Sequence, residues 1–339
     1  MIRYVLRRIA TMMVTLLLIS LLIFLVIKLP PGDYLTNKIN ELRSQGETAS
    51  IARAEAMRSQ YGLDKPVLHQ YGVWLGVLPG QEGFSGLLEG NWGWSFEYEL
   101  PVKMVVGDAL VLTVILNVLV IIFVHLVSIP IAIYSATHRN TAGAHAATFL
   151  GYIGLATPSF LLALVLLFYL NRWFGISVGG MVNPEYANRP WSMAKMGSFA
   201  SHMIVPMVVI GLAGTAGMIR RLRANLLDEL SKQYTVTAKA KGLPPGRALL
   251  KYPFRIALNP FVADIGNLLP SIVSGSAIVS IVLSLPTIGP ILVQALKIQD
   301  QYLAGFILLF VALLTVVGMF IADLALAVLD PRIRLGTGK

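Results

Sequence analysis

The chain has 339 residues, of which 56% are hydrophobic and only 13% charged, and its mean hydropathy is +0.71. A soluble domain carries about 25% charged residues, so composition excludes a soluble globular protein and reads as an integral membrane protein. The net charge of +10 is not a nucleic-acid signal, because the basic residues crowd the loops and ends of apolar segments, and the absence of cysteine excludes disulfides, thiolate chemistry and cysteine-based metal sites.

Arg3, Arg7 and Arg8 precede an apolar run over 9–27, close to the ~20 residues that a membrane span requires. The run ends in Lys28-Leu29-Pro30-Pro31-Gly32 without a small-x-small cleavage site, which reads as an uncleaved first span and not a signal peptide. The basic start puts residue 1 in the cytoplasm. Residues 1–30 are therefore a tail and first span, and 31–104 an external, periplasmic region. Within that region 38–61 suits a helix interrupted at Gly46, 61–66 (YGLDKP) a turn, and 67–77 a short aromatic-rich helix. Trp92 and Trp94 suit either the headgroup level, where indole is favoured, or packing within the loop.

Residues 105–339 then hold five further spans. The second is predicted over 105–135 and is followed by a short inner loop with His138, Arg139 and His145. The third covers 146–170, where Gly151, Gly154 and Thr157-Pro158 permit close helix contact and a kink. An external loop over 171–201 leads to a fourth span over 203–218, whose Gly211, Gly214 and Gly217 form a small-residue seam for helix packing. The fifth covers 261–285 and is broken by Leu285-Pro286-Thr287-Ile288-Gly289-Pro290, and the sixth covers 304–328. Six spans return the C-terminus, with Arg332, Arg334 and Lys339, to the cytoplasm, and every short loop then obeys the positive-inside rule.

The stretch 220–255 (RRLRANLLDELSKQYTVTAKAKGLPPGRALLKYPFR) is polar and lies between two of these spans. It holds nine Lys/Arg, at 220, 221, 223, 232, 239, 241, 247, 251 and 255, against Asp228 and Glu229. Tyr234, Thr235, Val236, Thr237, Ala238, Lys239, Ala240 and Lys241 suit a short helix with Ser231 as its N-cap. Gly242 supplies a left-handed C′ position and Leu243 the apolar residue that often follows it. Pro245 opens a second short helix through Lys251. Such a basic loop can be held by anionic lipid, but charge attraction requires no fixed backbone shape, and the Gly-Leu-Pro-Pro turn points to a projection that fits a partner.

Polar groups inside spans are costly and often functional. Asn117 and His125 share roughly one face of the second span, and His125 suits either a pathway lining or a hydrogen bond to a neighbouring helix. Ser276, Ser280 and Ser284 recur every four residues, a stripe for helix packing or a hydrated lining. Asp264, Asp323 and Asp330 sit near span ends and read as anchors or partners for arginine, not a proton relay. No G-x-x-x-x-G-K-[ST] or H-E-x-x-H occurs, and the terminal GTGK lacks the following Ser/Thr. No nucleophile and base converge, so neither a membrane enzyme nor a bound ATP, metal or other cofactor is expected on this chain.

Several pieces together resemble a known family. YTVTAKAKGL followed by RALLKYPFRIALNP is similar to the cytoplasmic "EAA" loop of binding-protein-dependent ABC importer permeases, in the dipeptide, oligopeptide and nickel branch. The opening IRYVLRRIA, the PPGD after the first span, YGLDKP with QYGVWL and GNWGWS, ATPSF, LPTIGP and the ending LDPRIR resemble that branch in the same order. The position six before the glycine, often Glu in the wider superfamily, is Val236 here. That departure removes the expectation of a salt bridge at this point, not of docking.

The resemblance implies an all-α, six-span type I ABC importer permease in the bacterial inner membrane, with an external helical loop after the first span. Its coupling helix, 234–243, would sit in a groove of an ATPase subunit. The implied partners are a second homologous permease, two ATPases that carry ATP and Mg, and a periplasmic or lipid-anchored substrate-binding protein, with membrane lipid around the spans and no nucleic acid. The implied function is translocation of a small, oligopeptide-like solute by alternating access, with oligosaccharides, opines or nickel as alternative cargo. The rival class, an ATP-independent secondary transporter, predicts buried ionisable groups near the bilayer midplane and a repeat between halves. The acids here lie at span ends instead.

Overall fold

A computed structural model describes residues 2–46, 48–80 and 83–329. The closing motif LDPRIR runs beyond them: 330–339, with Asp330, Arg332 and Arg334, lie outside the described residues. In chain order the helices are α1 (Ile2–Ile27), α2 (Tyr34–Gln45), α3 (Thr48–Gln60) and α4 (Val67–Leu75), then a two-stranded ribbon of β1 (Trp94–Ser95) and β2 (Leu100–Pro101). There follow α5 (Val102–Thr137), α6 (Ala142–Ala156), α7 (Ser159–Phe174), α8 (Met193–Leu230), α9 (Gln233–Ala240) and α10 (Pro245–Lys251). The chain continues through α11 (Pro253–Ala257), α12 (Asn259–Ala263), α13 (Ile265–Val282), α14 (Ile288–Ile298) and α15 (Gln301–Leu329).

Four helices among the described residues, α1, α5, α8 and α15, are long and apolar enough to cross a membrane. The expected third span is the pair α6 and α7, which meet at 99° and would make a fifth crossing if the pair is one span. Pro158 forces the bend: it disfavours helical backbone at the residue before it, and Thr157 is extended, with φ −86° and ψ 122°. The expected fifth span, 261–285, is built in two pieces, α12 and α13, that break at Asp264, and α11 lies ahead of it. The expected fourth span is much longer than its apolar run. The 38 residues of α8 extend about 57 Å at 1.5 Å per residue, so helix occupies the end of the expected external loop and Arg220–Leu230 of the expected inner one.

The described residues fall into two compact units. The larger comprises 2–9, 112–287 and 314–329. Its core joins Leu116, Val120 and Val124 of α5 to Met203, Val209, Met218 and Leu222 of α8 and to Leu268, Ile272 and Val279 of α13. Glycine permits the close approaches. A Cβ on Gly211 would come within 2.6 Å of Phe123, one on Gly154 within 2.7 Å of Leu212, and one on Gly318 would overlap Leu269. Gly217, the third member of the expected seam, has only the tip of Arg221 nearby, at 3.9 Å, so the seam consists of Gly211 and Gly214. Ion pairs tie the helix ends: Arg8 to Asp323 at 2.9 Å and Arg221 to Asp264. Of the two roles expected for Asp264 and Asp323, anchor or arginine partner, both are arginine partners.

The second unit comprises 10–111 and 288–313 among the described residues. Its helices α2 and α3 meet at Gly46, whose φ of +76° closes α2, where the sequence marked a break. Leu35, Leu63 and Phe96 form a small core with Trp94 and Tyr302 against it. Trp92 stacks on Phe306 with ring centroids 4.2 Å apart, so both tryptophans pack within the protein. The helix α14 follows Leu285-Pro286-Thr287, where the sequence reading saw only a break.

Candidate coupling surface and pathway residues

The polar stretch folds as a helix–turn–helix projection at the end of α8. Ser231 is not the N-cap of α9. It closes α8, with its hydroxyl donating to the Asp228 carbonyl at 2.7 Å, because serine bonds backward along its own helix as readily as forward into the next. Lys232 stands at the start of α9 with no side-chain cap. Side chains from α8 hold α9 in place instead. The Thr235 hydroxyl donates to the Glu229 carbonyl at 3.0 Å, and the Tyr234 hydroxyl donates to the Glu229 carboxylate. Burial, then that carboxylate, pushes the Tyr234 hydroxyl above the ordinary phenol range.

Gly242 has φ +82°, the left-handed conformation that terminates helices. The Leu243 N–H donates to the Ala238 carbonyl at 3.3 Å and the Gly242 N–H to the Lys239 carbonyl at 2.9 Å, the two bonds of a Schellman turn. Pro245 sits in the first turn of α10, where its missing N–H costs nothing. The expected helix, glycine and second helix are thus all present, with α9 one residue earlier than 234–241.

Burial divides the motif into two faces. Thr235 (0% exposed), Ala238 (6%) and, on α10, Ala248 (0%) turn inward, where small residues let the projection lie close to the helices behind it. Val236, Thr237, Lys239, Ala240, Lys241 and Gly242 are exposed. The outward surface therefore combines two cations with an apolar Val236 at 51% exposure. It can present both charge and a dry contact to a partner groove. Behind the projection, on α8, Arg223 donates to the Ser135 carbonyl of α5 at 3.3 Å and Arg221 pairs with Asp264, ahead of α13.

The pathway candidates differ in burial. Asn117 is buried, with Nδ2 donating to the Thr113 carbonyl at 2.8 Å and Oδ1 unpartnered. His125 lies edge-on to Phe261 at 4.7 Å, with Nδ1 2.7 Å from the Ile121 carbonyl and Nε2 unpartnered. Ser276 and Ser280 are buried, and Ser276 bonds back to Val273 at 3.0 Å, while the Ser280 hydroxyl has no partner. Ser284 is exposed, at φ +52° beyond the end of α13. Sequence reasoning missed Asp300, which is fully buried ahead of α15. Its signal was an Asp three residues before an apolar helical run, the pattern of an N-cap.

Residues 128–335 match the model of the binding-protein-dependent transport system inner membrane component, and residues 1–117 match the N-terminal membrane component of the same systems. This chain belongs to that family. It is 31% identical to the oligopeptide transport system permease protein AppB of Bacillus subtilis (strain 168), over 97% of this chain and 98% of that protein. It is 26% identical to the dipeptide transport system permease protein DppB of Lactococcus lactis subsp. cremoris (strain MG1363), over 99% of this chain and all of that protein. It is 28% identical to the glutathione transport system permease protein GsiC of Pectobacterium atrosepticum, over 98% and 99%. With several apolar helices in the fold, the chain is a multi-pass membrane permease of a binding-protein-dependent ABC importer.

Proposed function

We propose that this permease carries oligopeptide-like solutes inward by alternating access, with ATP hydrolysed on partner chains. Relatives that match nearly the full chain are named for oligopeptides, dipeptides and glutathione, and all three cargoes are peptides. The observation that carries the mechanism is the exposed face of α9 beside the Schellman turn at Gly242. Hydrogen bonds from Tyr234 and Thr235 to Glu229 hold this projection against the end of α8. In this reading 234–243 docks in a groove of an ATPase, ATP and Mg lie on two such subunits, a second homologous permease completes the membrane channel, and a binding protein delivers the solute. The chain crosses the bilayer six times with both termini cytoplasmic. The α6–α7 pair is its third span and α12–α13 its fifth.

The solute path runs along α5 and α13, where Asn117 and Ser280 keep buried polar atoms without partners. Such atoms gain hydrogen bonds if the two helices part and water enters. Nucleotide can drive that change only by binding the two states differently. Among the described residues, Asp33, Lys195 and Asp300 are the buried charged side chains, and each lies at a helix end, which argues against a proton-coupled transporter. Proteoliposomes containing this chain, its partner permease and both ATPases should take up a labelled tripeptide only when binding protein and ATP are supplied. Uptake driven by an ion gradient without ATPases would overturn the reading.

A further inference from the structure

On the approach to the projection, α6 and α8 leave a groove of about 60 Å³ between them. Gly151 and Leu155 of α6 line it with Ala216 and Ile219 of α8, and Arg220 and Arg223 line it further along α8. The four α8 residues fall at i, i+3, i+4 and i+7, a single helix face. From Ala216 to Arg223 that face rises about 10 Å and changes from methyl groups to guanidinium groups. The bilayer makes the same step between acyl chains and head groups over a comparable depth. Small residues keep the groove open: the nearest atoms to a Cβ built on Gly151 are those of Ala216, at 3.8 Å. Its flank is apolar, because Phe149, Ile153 and Leu155 of α6 are all exposed.

The two arginines keep their donors for a ligand. Arg220 is exposed and makes no hydrogen bond or ion pair with the described residues. Arg223 donates to the Ser135 carbonyl through Nε, which leaves its two terminal amino groups. No acid of these helices competes for them. The sequence of α6 and α7 contains no Asp or Glu, α8 has none ahead of Asp228, and the one acid of α5, Asp108, lies near its start. Asp228 is paired with Lys232, and Asp264 with Arg221. Guanidinium forks match phosphate oxygens, and an apolar groove beside them calls for a hydrocarbon tail on the same molecule. We propose that this groove holds an anionic phospholipid, with its phosphate against Arg220 and Arg223 and the start of an acyl chain along Gly151 and Ala216. Basic pockets between membrane helices bind such head groups. A space of this size admits only a few heavy atoms, so the rest of the lipid lies along the exposed apolar side of α6. The site is distinct from the coupling surface of α9 and from the path along α5 and α13, and it does not depend on which solute is transported.

The test uses the full chain in phosphatidylcholine nanodiscs. Phe149→Cys, exposed on α6 beside the groove, supplies a single labelling site for a fluorophore, since the chain has no cysteine of its own. Phosphatidylglycerol or phosphatidylcholine with a doxyl group on its acyl chain is titrated as quencher. Half-maximal quenching should come at an about ten- to thirtyfold lower mole fraction of phosphatidylglycerol, the combined pull of two arginines at a membrane surface. Arg220→Gln alters an exposed residue without a partner and should cut that preference about fivefold, and Arg220→Gln/Arg223→Gln should abolish it. Gly151→Leu fills the groove at unchanged charge and should lower the preference as well. Arg172→Gln removes an exposed charge at the end of α7 and should match the parent. Equal quenching by the two lipids, or an unchanged preference in Arg220→Gln, would overturn the proposal. So would an unchanged preference in folded Gly151→Leu, the sign of diffuse surface attraction, or quenching by neither lipid, the sign of protein seated in the groove.

Discussion

The Ser95 hydroxyl donates a 2.6 Å hydrogen bond to the Asp300 carboxylate across 205 residues of sequence. The same carboxylate accepts from the backbone N–H groups of Glu97 and Leu303, each at 3.3 Å. Asp300 thus caps the start of α15 and holds the ribbon loop to it. Burial outweighs these bonds and pushes its carboxyl above the usual range. The folded state therefore retains a proton that the unfolded state has lost, and stability falls as pH rises from the ordinary carboxylate pKa through the raised one. Asp300→Asn should keep an acceptor for Ser95 and remove that pH dependence. Asp300→Ala strands three donors and should cost about 2–3 kcal/mol. Thermal unfolding in detergent across pH 3–7, run on both variants, checks the sign and the ranking.

Lys28 gives a second pH signature, of opposite slope. Its ammonium donates to Gln70 Oε1 at 2.5 Å, and burial pulls its pKa from 10.5 down to about 8. Between those values the unfolded state holds a proton that the folded state does not, so stability should rise with pH across that window. Lys28→Met should flatten the rise. Melting temperatures of parent and variant measured from pH 7 to 10 report it, and parallel curves would contradict it.

The proposed orientation, with both termini cytoplasmic, predicts which loops meet the outside. Cysteine can be introduced without background, since the chain has none. A cysteine at Ser44, exposed in α2, should react with an impermeant maleimide in whole cells, and one at Ser231 should not. The reverse pattern would invert the topology.

Much of the projection was legible because its chemistry is local. A glycine followed by Leu-Pro-Pro specifies a left-handed helix stop and a proline start from backbone sterics alone. Ser231 was misread for the same reason: its hydroxyl has two short-range acceptors to choose between, and only the register of α8 decides. The extent of α8 was hidden because hydropathy marks where a helix is apolar, not where its backbone hydrogen bonds end. Lys195 and Arg220–Arg223 continue it on both sides. Gly289-Pro290 read as a breaker, yet both lie in the first turn of α14, where proline is tolerated. Asp300 escaped notice because its partners Ser95 and Glu97 are distant in sequence.

His125 is held as a packing partner, by its edge-on contact with Phe261. An aromatic contact of this kind is worth about 0.5–1.5 kcal/mol. His125→Ala should accordingly lower transport less than about tenfold, the equivalent of about 1.4 kcal/mol. Uptake per unit of permease in the membrane is the measurement. Transport abolished at normal expression would make the ring part of the pathway.

The central claim is that α9 and the Gly242 turn transmit ATPase movement to the spans, and Gly242→Val tests it most directly. Nothing lies within 4 Å of a Cβ built at Gly242, so the substitution causes no clash. Its effect comes from the backbone, because a β-branched residue at positive φ is a conformational outlier and costs about 1–2 kcal/mol. The strain falls outside the apolar helices and should leave them folded while changing the angle between α9 and α10. The measurement is co-purification of the ATPases with the variant permease, normalised to permease recovered from the membrane. The account predicts normal permease levels with clearly reduced ATPase recovery. Parental recovery of the ATPases, with parental peptide uptake, would contradict it.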